Sequence, residues 1–152
     1  MKNTLTMDRI KERQKLSWQG VFYGIQRIDL LIISISGAGI YVCLETMKFI
    51  KENNLEDSDA IKTSGMLLLV GIGLNFLSQI YGRKSNYYDF LWCEEKLDIG
   101  NNEPTEKQLN DLKDYDDKSD VYSKYTNRLT NASTFLMMLG LIFLMSYFFF
   151  IF

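Results

Sequence analysis

Residues 63–82 read TSGMLLLVGIGLNFLSQIYG, twenty positions without a charged side chain. A bilayer core of ~30 Å is crossed by ~20 helical residues rising ~1.5 Å each. The stretch meets that length, which a buried helix of a soluble protein rarely reaches without a charge. Residues 129–152 make a second uncharged run of 24, with the apolar part at 132–152. Residues 30–44 make a third of 15, which reaches only ~22 Å. Extending it to 28–50 gives enough length and brings in Asp29, Glu45 and Lys48 near its ends, where charged side chains can snorkel to the headgroups. A shallow re-entrant segment is the alternative for this run. Together the three runs hold 59 of 152 residues, and all 36 charges fall in the other 93. The mean hydropathy of -0.09 therefore averages two unlike kinds of segment.

Composition excludes several chemistries. There is no His, so no Ser-His-Asp triad, Cys-His dyad or His-ligated metal site is available. The two cysteines, Cys43 and Cys93, make no CxxC pair, so neither zinc nor redox chemistry is indicated. A net charge of -2 gives no nucleic-acid footprint. No enzyme, cofactor or metal is expected. The Asn- and Lys-rich, Pro-poor usage suits a bacterial chain.

Charge placement sets the topology. Six Lys and Arg precede the first run, three lie between the first and second, and eight lie between the second and third. Cytoplasmic loops carry the excess of positive charge. The N-terminus and residues 83–128 are therefore expected inside, the 51–62 loop and the C-terminus outside, in a bacterial inner membrane. The first run starts 30 residues in, with no small-residue cleavage site before Glu45, and reads as a retained anchor.

The resulting expectation is an all-α membrane protein with three transmembrane helices, an N-terminal amphipathic helix and a cytoplasmic helical hairpin. Residues 1–28 form the basic amphipathic segment, with Trp18, Val21, Phe22, Ile25 and Ile28 at one-face spacing. It suits either the inner membrane surface or packing against the protein itself. The first span is 28–50, the outer loop 51–62 and the second span 63–82. Ser58 or Asp59 is a possible cap for that second helix. Residues 83–131 form the hairpin, broken at 100–104 by Gly-Asn-Asn-Glu-Pro, and 132–152 the third span. After Pro104, Thr105 and Gln108 have capping-box spacing. No Gly or Pro follows until Gly140, so one helix of over 40 residues is possible. The acidic stretch 111–120 is either a break in it or a solvated face.

Three groups of residues are candidates for function. Gly71, Asn75, Ser78 and Gly82 fall at i, i+4, i+7, i+11, with Gln79 beside them. Polar side chains in hydrocarbon must face protein or water, and small ones allow close helix approach. This stripe is either pore-lining or a helix-packing face, with Asn75 and Gln79 bonded to a neighbour. On the first span, Ser34, Gly37 and their neighbours form a second close-packing surface, and Glu45 marks either an interface or a ring of carboxylates. The third span, apolar with a Tyr147–Phe152 aromatic end, is expected to face lipid. Arg83, Lys84, Lys124 and Arg128, with Tyr87, Tyr88 and Trp92, lie near the inner roots of helices two and three. They suit an anionic ligand or a partner, and are equally expected from the positive-inside rule.

The order of parts resembles the SLATT-type small membrane effectors of bacterial antiviral defence. The resemblance covers the layout of residues 8–130: a basic amphipathic helix, a close pair of membrane helices and an aromatic, charged cytoplasmic region. The third span stands outside that two-helix plan. The resemblance implies a homo-oligomer in the lipid bilayer, channel-like and gated through the cytoplasmic hairpin. It also implies a nucleotide messenger or a defence-system protein as partner. Three helices cannot enclose an aqueous path alone, so any pore needs several copies. The alternative is a non-conducting membrane adaptor that docks a partner through the hairpin.

Overall fold

The computed structural model describes the backbone of residues 2–53, 59–99 and 103–151, and the side chains of residues 23, 26–53, 59–99 and 103–149. The chain forms three helices: α1 (Lys2–Glu52), α2 (Asp59–Ile99) and α3 (Glu106–Ile151). Each contains a segment long and apolar enough to cross a membrane. At ~1.5 Å per residue the 41 residues of α2 extend ~60 Å, about twice a bilayer core. All three helices therefore outrun the hydrocarbon.

α1 runs unbroken, so the N-terminal segment and the first span are one helix rather than two. The face expected at Trp18, Val21, Phe22 and Ile25 lies outside the described side chains. So do Ser58 and positions 100–102 of the expected turn. At the start of α3 the capping box is formed. The Gln108 side-chain oxygen accepts from the Thr105 backbone N–H at 3.0 Å, and the Gln108 N–H donates back to Thr105 Oγ1 at 3.3 Å. From there α3 continues through the acidic stretch, whose Asp114, Asp116, Asp117 and Asp120 are exposed. The stretch is a solvated face.

α2 and α3 are the main packed pair, and α1 leans on them. Their seam repeats every seven residues. Ser64 Oγ donates to the Gly140 carbonyl at 2.7 Å, and Ser133 Oγ donates to the Gly71 carbonyl at 2.7 Å. Ser78 Oγ donates to the Thr126 carbonyl at 3.0 Å, and Ser85 Oγ to the Ser119 carbonyl at 3.0 Å. Residue numbers rise by seven on α2 as they fall by seven on α3, which is an antiparallel pairing in constant register. A seven-residue repeat keeps one seam facing the partner along both helices. Small residues let the backbones approach closely enough for a hydroxyl to reach a carbonyl that already serves its own helix. At Gly140 the closeness excludes any side chain: an added Cβ would lie 2.8 Å from Leu68 Cγ and 3.3 Å from the Ser64 carbonyl oxygen.

This pairing narrows the expectation for the third span: one side of α3 packs on α2 and the other stays exposed. Ser133, Met137, Gly140 and Leu144 of α3 are buried, while Phe135, Met138, Ile142 and Met145 are exposed on its other side. On either side of the Ser64–Gly140 bond, α1 contributes to two apolar clusters, Ile32 with Leu68 and Met137, and Cys43 with Ile61 and Leu144. Both cysteines are free, Cys43 buried and Cys93 exposed.

Candidate functional site: a polar cleft between the three helices

Asn75 sits well inside the second apolar run and is fully buried. An amide there needs partners from the protein. It finds them on both sides: Asn75 Nδ2 donates to Asp29 Oδ1 at 2.8 Å, and Gln79 Nε2 donates to Asn75 Oδ1 at 3.0 Å. The bonds run as a chain from α2 to the α1 carboxylate. The packing reading of the stripe therefore describes Asn75, Ser78 and Gly71, all of which face inward. Asp29 lies level with Asn75.

Beside this chain lies an open cleft of about 600 Å³. α1 lines it with Gln26 and Asp29, α2 with Gln79 and Arg83, α3 with Asn127 and Thr130. Ser78 Oγ and Thr130 Oγ1, 2.7 Å apart, form part of its wall. Asp29 is half-buried, and its second oxygen meets no donor or cation among the described residues. The exposed Arg83 guanidinium likewise forms no ion pair among them. On the other side of Asp29, away from Arg83, Ile32, Leu68 and Met137 pack together. The cleft is an open groove whose rim carries Asp29, Gln79 and Arg83.

The remaining candidates fall into two sets. Ser34, Gly37 and Glu45 are exposed on the outer side of α1, and a Cβ added at Gly37 would meet nothing within 4 Å. The cationic and aromatic residues beyond the apolar runs are partly committed to each other. Tyr122 stacks on Tyr88 with centroids 5.6 Å apart and on Tyr81 at 6.0 Å. The Lys84 ammonium lies 5.5 Å from the Tyr122 ring and Lys118 lies 5.4 Å from Tyr88. Tyr87 meets Tyr88 edge-on, and Lys96 lies over Trp92. Lys124 and Arg128 are exposed on α3. Arg83 belongs to the cleft, so the structure does not gather the seven residues around one point.

Lys118 also bonds Asp114 at 2.6 Å, which raises its ammonium above the ordinary lysine value. A raised value strengthens the folded state below the ordinary lysine range and releases it only at more alkaline pH.

Sequence reasoning missed Tyr81, Tyr122, Lys118, Thr130 and the role of Asp29. A signal was present for the tyrosines: Tyr81 and Tyr88 are seven apart on α2, as are Tyr115 and Tyr122 on α3. No protein-family model matches the chain, and neither does any curated protein or solved structure.

Proposed function

We propose that this is a multi-pass protein of the bacterial inner membrane whose copies associate through α1 into a channel-like effector, gated through the cytoplasmic parts of α2 and α3. The observation that carries this reading is the outer side of α1. On a helix apolar enough to span, Ser34, Gly37 and Glu45 are exposed in the single chain. Small and polar residues facing lipid are wasteful, whereas against another helix they permit close approach and hydrogen bonding. A second copy covers them, and a ring of copies would set Glu45 around an axis. A nucleotide messenger or a defence-system protein is the proposed trigger, with the exposed Lys124 and Arg128 as the cations toward it.

Gly37→Leu tests the association. The added side chain has open space within its own chain, so the three-helix unit should keep its thermal midpoint. Native mass measurement should show the oligomer of the parent falling to smaller species, and ion flux from liposomes should fall at least tenfold. An unchanged oligomer would sink the reading.

Orientation is checked by the natural cysteines. A membrane-impermeant maleimide should label exposed Cys93 in inside-out vesicles and spare it in right-side-out ones, with buried Cys43 silent in both. Labelling in right-side-out vesicles would reverse the assignment.

The adaptor reading has its own support. Phe90, Leu97 and Leu109 are exposed on the cytoplasmic parts of the hairpin, with Leu97 at 81%. Apolar side chains so exposed in water suit a docked partner. Protein that forms a defined oligomer yet passes no ions, with or without added nucleotides, would favour it.

A further inference from the structure

We infer that the basic N-terminal half of α1, residues 2–27, docks along α2 beyond its apolar run and closes the cleft as a strap. The docking takes place within one chain and does not rest on whether copies conduct. α1 and α2 run antiparallel: Asp29 is bonded to Asn75, and further along α1 Cys43 is bonded to Ser64. In the other direction from Asp29 the two helices flank the open cleft, with Gln26 on one wall and Arg83 and Asn86 on the other. The α2 face that meets Asp29 does not end there. At ~3.6 residues per turn, Asn86, Phe90, Cys93 and Leu97 fall within about 60° of Asn75. All four are exposed, so the described structure leaves this face uncovered. Phe90 and Leu97 stand among Asp89, Glu94, Glu95 and Lys96. Charged neighbours make hydrocarbon a poor cover for them, and a packed helix a good one.

The sequence of α1 carries the complement in the same register. α1 is one helix from Lys2, and Phe22, Trp18, Lys15 and Lys11 share the phase of Asp29 within about 40°. Equal steps away from the Asp29–Asn75 bond set Trp18 level with Asn86, one turn from Phe90. They set Lys15 level with Asp89 and Met7 level with Leu97. Apolar positions thus meet apolar ones, and a lysine meets an aspartate. The charge balance agrees: residues 2–27 hold six Lys and Arg against two acids, while residues 83–128 hold eight against eleven. Opposite charge draws the segment in, and the aromatic contacts hold it. Its length suffices, since a helix over 2–27 extends ~39 Å against ~25 Å for α2 from 83 to 99.

Lys11→Cys tests the register, because position 11 falls level with the natural Cys93. Arg9→Cys, on the opposite face of the helix, is the control. In phosphatidylcholine vesicles under copper–phenanthroline oxidation, Lys11→Cys should bond Cys93 within one chain about tenfold faster than Arg9→Cys, since a disulfide needs Cα atoms within about 7 Å. Cys43 is buried and should stay unreacted. Adding Phe90→Ser and Leu97→Ser, both at exposed positions, should slow the bond several-fold while the melting midpoint holds. Vesicles of phosphatidylglycerol should leave the rate unchanged. Equal rates for the two cysteine variants, or a rate indifferent to the serine substitutions, would overturn the strap. So would a product of doubled mass, which gives the face to a second copy, or loss of the bond in phosphatidylglycerol, which gives the segment to the lipid surface.

Discussion

Gly140→Leu is expected to open the α2–α3 seam and lower the melting midpoint by about 5–15 °C, a loss of about 2–4 kcal/mol. The glycine sits where α3 presses on Leu68 and on the Ser64 backbone. A Cβ alone would come within 2.8 Å of Leu68 Cγ. Leu68 is fully buried beside Ile32 and Met137, so it has little room to retreat. Moving α3 outward instead breaks the bond from Ser64 Oγ to the Gly140 carbonyl and strands a fully buried hydroxyl. Either response costs. Cys43 provides the readout: its sulfur lies 3.6 Å from Ser64 Oγ and is buried. With exposed Cys93 replaced by Ala, a thiol-reactive dye should report melting through Cys43 alone. The Gly37→Leu protein is the matched control, since the same residue is added where the chain leaves space. Equal midpoints for the two variants would show that the seam is not close-packed at Gly140.

The contrast between these two glycines marks the limit of what was legible beforehand. Length and charge suffice for the three apolar segments, because a bilayer imposes a length on any crossing helix. Local rules suffice for the start of α3, where Pro104, Thr105 and Gln108 act within one turn. The choice of which face meets which helix is different in kind. Ser119, Thr126, Ser133 and Gly140 recur every seven residues, as do Ser64, Gly71, Ser78 and Ser85. In α3 the larger apolar residues between them dominate any average, so the helix looked lipid-facing. Read as a repeat rather than as a mean, the small residues mark the seam on both helices, and the hydroxyl–carbonyl bonds set its register. The partner of Asp29 was hidden for a related reason: it depends on how α1 registers against α2, a long-range contact. The pore and packing readings of Asn75 were likewise inseparable until a partner was found for it on another helix.

That partner makes the second large prediction a cycle of three variants. Asn75→Leu should lower stability by about 1.5–3 kcal/mol, because it removes the donor that holds the half-buried Asp29 carboxylate. The larger apolar surface of Leu does not compensate, since the Asp29 oxygen loses its partner while remaining beside α2. Asp29→Leu alone should cost less than Asn75→Leu. It leaves the Asn75 amide nitrogen unbonded, but a neutral amide is cheaper to strand than a charge, and Gln79 still bonds the Asn75 oxygen. Replacing both Asp29 and Asn75 by Leu removes the need for the bond together with the bond. The double variant should regain most of the loss, giving a coupling of about 1–2 kcal/mol between positions 46 residues apart in sequence. A pore-lining role predicts another pattern: Asn75→Leu would change ion flux with an unchanged melting midpoint, and the two substitutions would add without coupling. Because Asn75 has no exposed surface in the single chain, the coupled pattern is the one its geometry requires.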